Sequence, residues 1–142
     1  GEGEIIDRCQ NLVKELQLEV RVLFLGIRMD VPRLLKTADI VVMSSIYEGM
    51  SLASIEGMAS GRAFVASNVP GLREIVRGVG VLFDKGNDKQ LAEEILKLLL
   101  DTEYYNVVAK RCIIHAENYN IEKMIDSYIR VYNGVIESEK NN

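Results

Sequence analysis

Short β-branched runs alternate with segments of helical spacing along this chain, and that alternation leaves few folds open. Val20 to Gly26, Asp39 to Ser44, Ala63 to Ala66 and Gly80 to Phe83 are brief and almost uniformly apolar. Such runs read as strands buried on both faces and not as half-wet ones. Buried strands separated by helices build a parallel sheet covered on both sides, so the expected class is α/β, a doubly wound parallel sheet. Ligands of such sheets bind at the carboxyl ends of the strands. Glu48 lies four residues past Ser44, at the carboxyl end of the second run, and Gly26 ends the first.

The stretch that fills this position runs from Tyr47 to Gly61 and reads YEGMSLASIEGMASG. Its apolar spacing predicts a helix from Leu52 to Ser60, with Ser51 as N-cap and Gly61 as the stop. Gly49 lets a ligand approach the backbone closely. The free N–H groups around residues 50 to 53, with part of the helix dipole, make an anion site suited to phosphate. Glu48 and Glu56, eight positions apart, place one carboxylate before the helix and one inside it. Carboxylates repel phosphate, so each must face a neutral hydrogen-bond donor. A sugar diol fits, each charge-assisted bond contributing about 1.5–3 kcal/mol. A nucleotide-sugar, anionic in the middle and hydroxylated at both ends, has this layout. Glu56 stands beside Ile55 and Ala59, one turn from Leu52 and Ser60, which predicts a place at the edge of the apolar face and not on the wet one.

The pattern Ser-x-x-Glu-Gly-Met-Ser-Leu-x-x-x-Glu-x-Met-Ala-x-Gly resembles the family 4 retaining glycosyltransferases, as do Ala38-Asp39 before it and Val65-Ala66-Ser67, Pro70-Gly71 and Glu74-Ile75-Val76 after it. The resemblance spans nearly the whole chain. It implies a Rossmann-like sheet, the carboxyl-terminal, nucleotide-sugar-binding lobe of a two-lobed GT-B enzyme. It also implies transfer of a sugar from a UDP, GDP or ADP donor with retained anomeric configuration. The acceptor, a glycan or a lipid-linked molecule, is left undefined. By the same resemblance Glu56 would hold the donor ribose, and Glu48 would bind the transferred sugar at the reacting face. The backbone of Gly49, Met50, Ser51 and Leu52 would meet sugar and diphosphate. Gly26 and Arg28 would lie by the base, although a solvated Arg in a turn accounts for Arg28 equally well. No acidic cluster points to a metal, so no metal or other cofactor is expected. Ala63 stands where the family commonly has Pro, and Gly57 where Ala is usual. Gly57 weakens a helix by about 1 kcal/mol and permits closer packing.

The chain has 142 residues, 48% hydrophobic and 27% charged, with a formal net charge of −4 and no basic run, which disfavours nucleic acid and anionic membrane as partners. With no spanning segment and no signal-peptide pattern, the expected location is cytoplasmic, or peripheral at a membrane through parts not in this chain. Cys9 and Cys112 fall on apolar helix faces and read as buried thiols; His115, the one histidine, reads as a surface residue. Gly1-Glu2-Gly3-Glu4 leads into a helix carrying Ile5, Cys9, Leu12, Val13 and Leu16. In the family such a turn follows an earlier strand. The chain is therefore expected to be a single domain, residues 1–142, of a larger enzyme whose acceptor lobe and diphosphate-neutralising Arg and Lys lie upstream. Alone it is expected to be inactive, with weak donor affinity and unpaired sheet edges.

Further on, Val31 to Ala38 reads as a helix with Pro32 in its first turn, and Gly71 to Val76 as another. A helix after Gly86-Asn87-Asp88 places Leu91, Ile95, Leu98 and Leu99 on one face, and Thr102 to Glu117 forms the next. The last helix, Ile121 to about Ser138, carries Met124, Ile125, Tyr128, Val131, Tyr132 and Val135 as a stripe that either packs on this sheet or crosses to the other lobe. Residues 137–142 are polar and expected to fray. Two rival functions share these features: a nucleotide-sugar epimerase or phosphorylase with the same lobe, and a non-enzymatic α/β binding module. The first would turn over donor without acceptor; the second would bind no nucleotide.

Overall fold

The computed structural model describes residues 5–140, so the Gly1 to Glu4 turn and the final two residues lie outside it. The chain forms two compact units divided after Val31. In the first, helix α1, Ile6–Glu15, ends at Leu16 and Gln17, the latter left-handed at φ 55°. Cys9 is exposed, not buried. After α1 the chain turns back so that Glu19, Val22 and Phe24 line a shallow depression with Gln10, Val13 and Lys14, and Cys9 is not part of that lining. Residues 20–26 do not form the expected strand; Val20 is 92% and Leu23 77% exposed. A strand exists only where a neighbour completes its hydrogen-bond ladder. No strand pairs with this run among the described residues.

The second unit carries the sheet. Three parallel strands, β1 (Ile40–Met43), β2 (Ala63–Ser67) and β3 (Val81–Phe83), lie in the order β1-β2-β3. Ile40 is in register with Ala63, and Val65 with Val81. Every residue of the central strand β2 is buried, as its unbroken apolar sequence requires. Among the described residues, seven helical elements accompany the strands: α2 (Val31–Thr37), α3 (Leu52–Ala59), α4 (Leu72–Val76), α5 (Asp88–Leu100), α6 (Thr102–Ala116), a 3-10 turn (Glu117–Tyr119) and α7 (Ile121–Lys140). Most predicted boundaries hold within a residue or two. α5 and α6 start at side-chain caps: the Asn87 side chain accepts from the Gln90 N–H at 3.0 Å, and Asp101 from that of Tyr104 at 2.8 Å. The Tyr105 hydroxyl donates to the Asp39 carbonyl at 2.7 Å, tying α6 to the entry of β1.

Met58, Phe64, Leu72, Val76, Leu98 and Cys112 are at the centre of the core. Burial pushes the Cys112 thiol above its ordinary pKa. Along α5, Leu98 is buried and Leu91 and Ile95 are half-buried, but Leu99 is 55% exposed. Leu99, next to Leu98, lies about 100° round the helix from it and falls outside the covered stripe. His115 is half-buried, not a surface residue, because the edge of its ring meets Tyr119, with centroids 5.4 Å apart.

α7 does not take the first of its two expected places, packing on this sheet. Asn120, extended at φ −73° and ψ 155°, turns the chain after the 3-10 turn, and its side chain accepts from the Lys123 N–H at 2.8 Å. The helix that follows leaves its stripe open, with Tyr128 58%, Tyr132 63% and Val135 53% exposed. It does not pack on the sheet.

Gly57 does permit close packing. A Cβ there would stand 2.5 Å from Cε2 of Phe64 and 3.3 Å from Cγ1 of Val41, joining α3 to β2 and β1. Phe64 is 1% exposed and has nowhere to go. Gly57→Ala is therefore expected to destabilise by about 1–3 kcal/mol in urea unfolding, although alanine alone would favour a helix by about 1 kcal/mol. An unchanged midpoint would show that Phe64 can yield.

Candidate donor-binding site

The loop from β1 to α3 is held at three points. At its start, the Ser67 hydroxyl, at the buried end of β2, donates to the Ser45 carbonyl at 2.6 Å. Ser45 in turn donates through its hydroxyl to the half-buried Glu48 carboxylate, Oε2, at 3.1 Å. Further along, Gly71 lies against the Glu48–Gly49 backbone so closely that a Cβ on it would overlap both carbonyl oxygens. The Gly71 corner is itself stiffened by Arg73, whose guanidinium donates to the Asn68 side chain at 2.6 Å and to its carbonyl at 3.1 Å. Glu48 is thus oriented by its neighbours and keeps acceptor capacity for a ligand.

At the start of α3, Ser51 occupies the N-cap position in extended backbone and is 8% exposed, but its hydroxyl makes no capping bond. The Ser51 carbonyl accepts from the N–H groups of Ser54 and Ile55 and from the Ser54 hydroxyl. The N–H groups of Leu52 and Ala53 have no acceptor among the described residues. An N-cap side chain would have taken one of the first donors; here they stay open to an anion. Gly49, Met50 and Leu52 are exposed around them.

Glu56 is in the second turn of α3 and is exposed, which corrects the expected place off the wet side. The buried arc of this short helix runs through Ser54, Gly57 and Met58, and Glu56 falls outside it. Glu56 lines a depression of about 140 Å³ with Pro32, Leu35, Lys36, Ala59 and Ser60. Glu48, Gly49, Met50, Ser51, Leu52 and Glu56 therefore surround one helix start. Gly26 and Arg28 belong to the first unit. Gly26 is left-handed at φ 64°, and Arg28 pairs with Asp30 through two 2.8 Å hydrogen bonds. The hydrogen bond and charge of Arg28 hold the Asp30 carboxyl below its usual range. The pair is exposed and contributes little stability.

Sequence reasoning missed Ser45 and Ser67 as supports of Glu48 and saw Gly71 only as part of a resemblance. Serine and glycine are common at strand ends and turns, so nothing local distinguishes them. Their roles arise from contacts between segments about 20 positions apart.

Residues 1–115 match the family model for glycosyl transferases group 1, and the chain belongs to that family. It is 31% identical to N-acetyl-alpha-D-glucosaminyl L-malate synthase of Bacillus anthracis, over 99% of this chain and 38% of that protein. It is 32% identical to the UDP-Gal:alpha-D-GlcNAc-diphosphoundecaprenol alpha-1,3-galactosyltransferase of Escherichia coli, over 93% of this chain and 35% of the other. The chain thus spans somewhat over a third of the length of these relatives. Among solved structures, HepE of Anabaena in complex with UDP-glucose superposes with a TM-score of 0.86 at 26% identity, covering 94% of this chain and 38% of HepE. The C-terminal domain of a group 1 glycosyl transferase, LpcC of Francisella tularensis, gives 0.74 at 26% identity, over 84% and 66% of the two chains. The fold is that of the carboxyl-terminal lobe of GT-B glycosyltransferases. No helix among the described residues is long and apolar enough to cross a membrane.

Proposed function

We propose that this chain is the donor-binding lobe of a retaining glycosyltransferase that takes a UDP-sugar and passes the sugar to a separate acceptor. The observation that carries the reading is the open helix start of α3, with unpaired N–H groups at Leu52 and Ala53, bracketed by Glu48 and Glu56. The likeness to HepE, solved with UDP-glucose, supports UDP over GDP or ADP.

In this reading the diphosphate lies against the α3 amides. Charge developing on the leaving group then meets dipoles already in place, which lowers the barrier without reorganisation. Glu56 accepts from the ribose hydroxyls. Glu48, fixed by Ser45, accepts from the sugar near the anomeric carbon and orients it for transfer. No step is assigned to a metal.

Two measurements test this. In thermal unfolding, UDP at 100 times its dissociation constant should stabilise the folded state by ~2.7 kcal/mol, a rise of roughly 5–10 °C for a chain of this size, while GDP and ADP give less. Equal responses to all three nucleotides, or none to UDP, would sink the UDP reading. Transfer from a UDP-sugar by the full-length enzyme should also persist in excess EDTA; its loss, with recovery on adding a divalent ion, would overturn metal independence.

A further inference from the structure

Beside the Glu48–Gly49 turn, a cavity of about 190 Å³ is lined by Met50, Gly71, Glu74, Ile75 and Tyr119. A second, of about 250 Å³, shares Met50 and Tyr119 with it and adds Leu52, Ile55 and Lys123. Each is smaller than the ~300–1,000 Å³ of pockets that enclose drug-sized ligands. The smaller cavity suits a single ring better than a nucleotide.

We propose that Glu74, Met50 and Tyr119 form a subsite for a pyranose ring, an assignment that rests on the donor-lobe reading above. Glu74 stands one turn after Gly71 on α4, and Gly71 packs directly on the Glu48–Gly49 carbonyls, so the turn and the helix bring this third carboxylate to the loop. Glu74 is exposed and accepts no hydrogen bond among the described residues. Its charge repels phosphate, so its ligand is a neutral hydroxyl donor. Tyr119 supplies a fixed wall. Its hydroxyl lies 3.4 Å from His115 Nε2, and the two rings meet edge to face at 67°. A held aromatic ring offers a flat apolar surface to the C–H face of a sugar while keeping its polar end satisfied. Met50, 70% exposed, supplies a soft wall that adapts to ring substituents. An acidic residue in the first turn of α4 also complements the helix dipole, but that role would alter stability alone.

The sugar could be the one carried by the donor or part of the acceptor, and the experiment separates these sources. Calorimetry on the full chain compares UDP with UDP-glucose, UDP-galactose and UDP-N-acetylglucosamine, for the native protein and Glu74→Gln. Saturation-transfer NMR with the corresponding methyl glycosides, in saturating UDP, covers the acceptor case. The expected result is a ~10-fold loss of sugar-dependent affinity in Glu74→Gln in one of the two arms, with the UDP constant unchanged within about twofold. Loss in the calorimetric arm assigns the donor sugar; loss in the NMR arm assigns the acceptor. Glu74→Gln matching the native protein in both arms, or weakening UDP in proportion, would overturn the subsite while leaving the donor lobe intact. Failure of the native protein to bind UDP at all would overturn both.

Discussion

Gly71→Ala is expected to lower the stability of this protein by at least ~3 kcal/mol and to displace the loop that carries Glu48. The added methyl would overlap the carbonyl oxygens of Glu48 and Gly49, and backbone has no rotamer by which to escape. Either α4 retreats from the loop or the loop moves. Retreat uncovers Leu72, Ile75 and Val76, which are buried in the core. Movement of the loop strains the bond from Ser45 to Glu48 and shifts the start of α3. A displacement of about 1 Å at a reacting centre can cost roughly 100-fold in rate. In the full-length enzyme, transfer is therefore expected to fall even at a temperature where the variant remains folded. Gly49→Ala is the control, since a Cβ there meets nothing within 4 Å. Urea unfolding of the two variants side by side is the check. Equal midpoints would show that the contact with Gly71 does not constrain the loop.

Glu56→Ala should lose UDP ~10–100-fold without losing the fold. The side chain is exposed and outside the buried arc of α3, so truncation opens no cavity. In the proposed reading it removes the acceptor of the ribose hydroxyls, each bond contributing about 1.5–3 kcal/mol when charged. At a UDP concentration that stabilises the native protein by ~2.7 kcal/mol, the variant should gain only ~0.4–1.4 kcal/mol. Its unfolding temperature without ligand should match the native value. Glu56→Gln, which keeps an acceptor but not the charge, should fall between. If Glu56→Ala responds to UDP as the native protein does, Glu56 does not hold the ribose.

The elements legible in the sequence were those whose environment is written locally. The continuous apolar run of β2 declares burial on both faces, and Asn87 and Asp101 announce their helices by chemistry that acts within three residues. The alternation of such elements sufficed for a parallel sheet, and the spacing of Glu48 and Glu56 for two carboxylates around a helix start. What escaped depends on partners distant in the chain. Val20 to Gly26 has the composition of a strand, yet composition cannot supply the second half of a ladder. Cys9 lies on an apolar stripe, yet it is exposed. Ser51 has the residue type and position of a cap, and its hydroxyl leaves the amides open. Ser67 and Gly71, which hold the loop, look in sequence like any residues at a strand end and a turn.

The open stripe of α7 means that cooperativity is unevenly distributed along this chain. Residues 121–137 are all exposed, so that helix depends on its own backbone bonds and its Asn120 cap, whereas all five residues of β2 are sealed. Amides of α7 should exchange with solvent through local openings that leave the sheet untouched, while those of β2 wait for global unfolding. A calorimetric transition therefore reports mainly on the sheet and the helices packed on it, which include α3. A nucleotide bound at the start of α3 would slow exchange in β2 and leave the exchange of α7 at its unliganded rate.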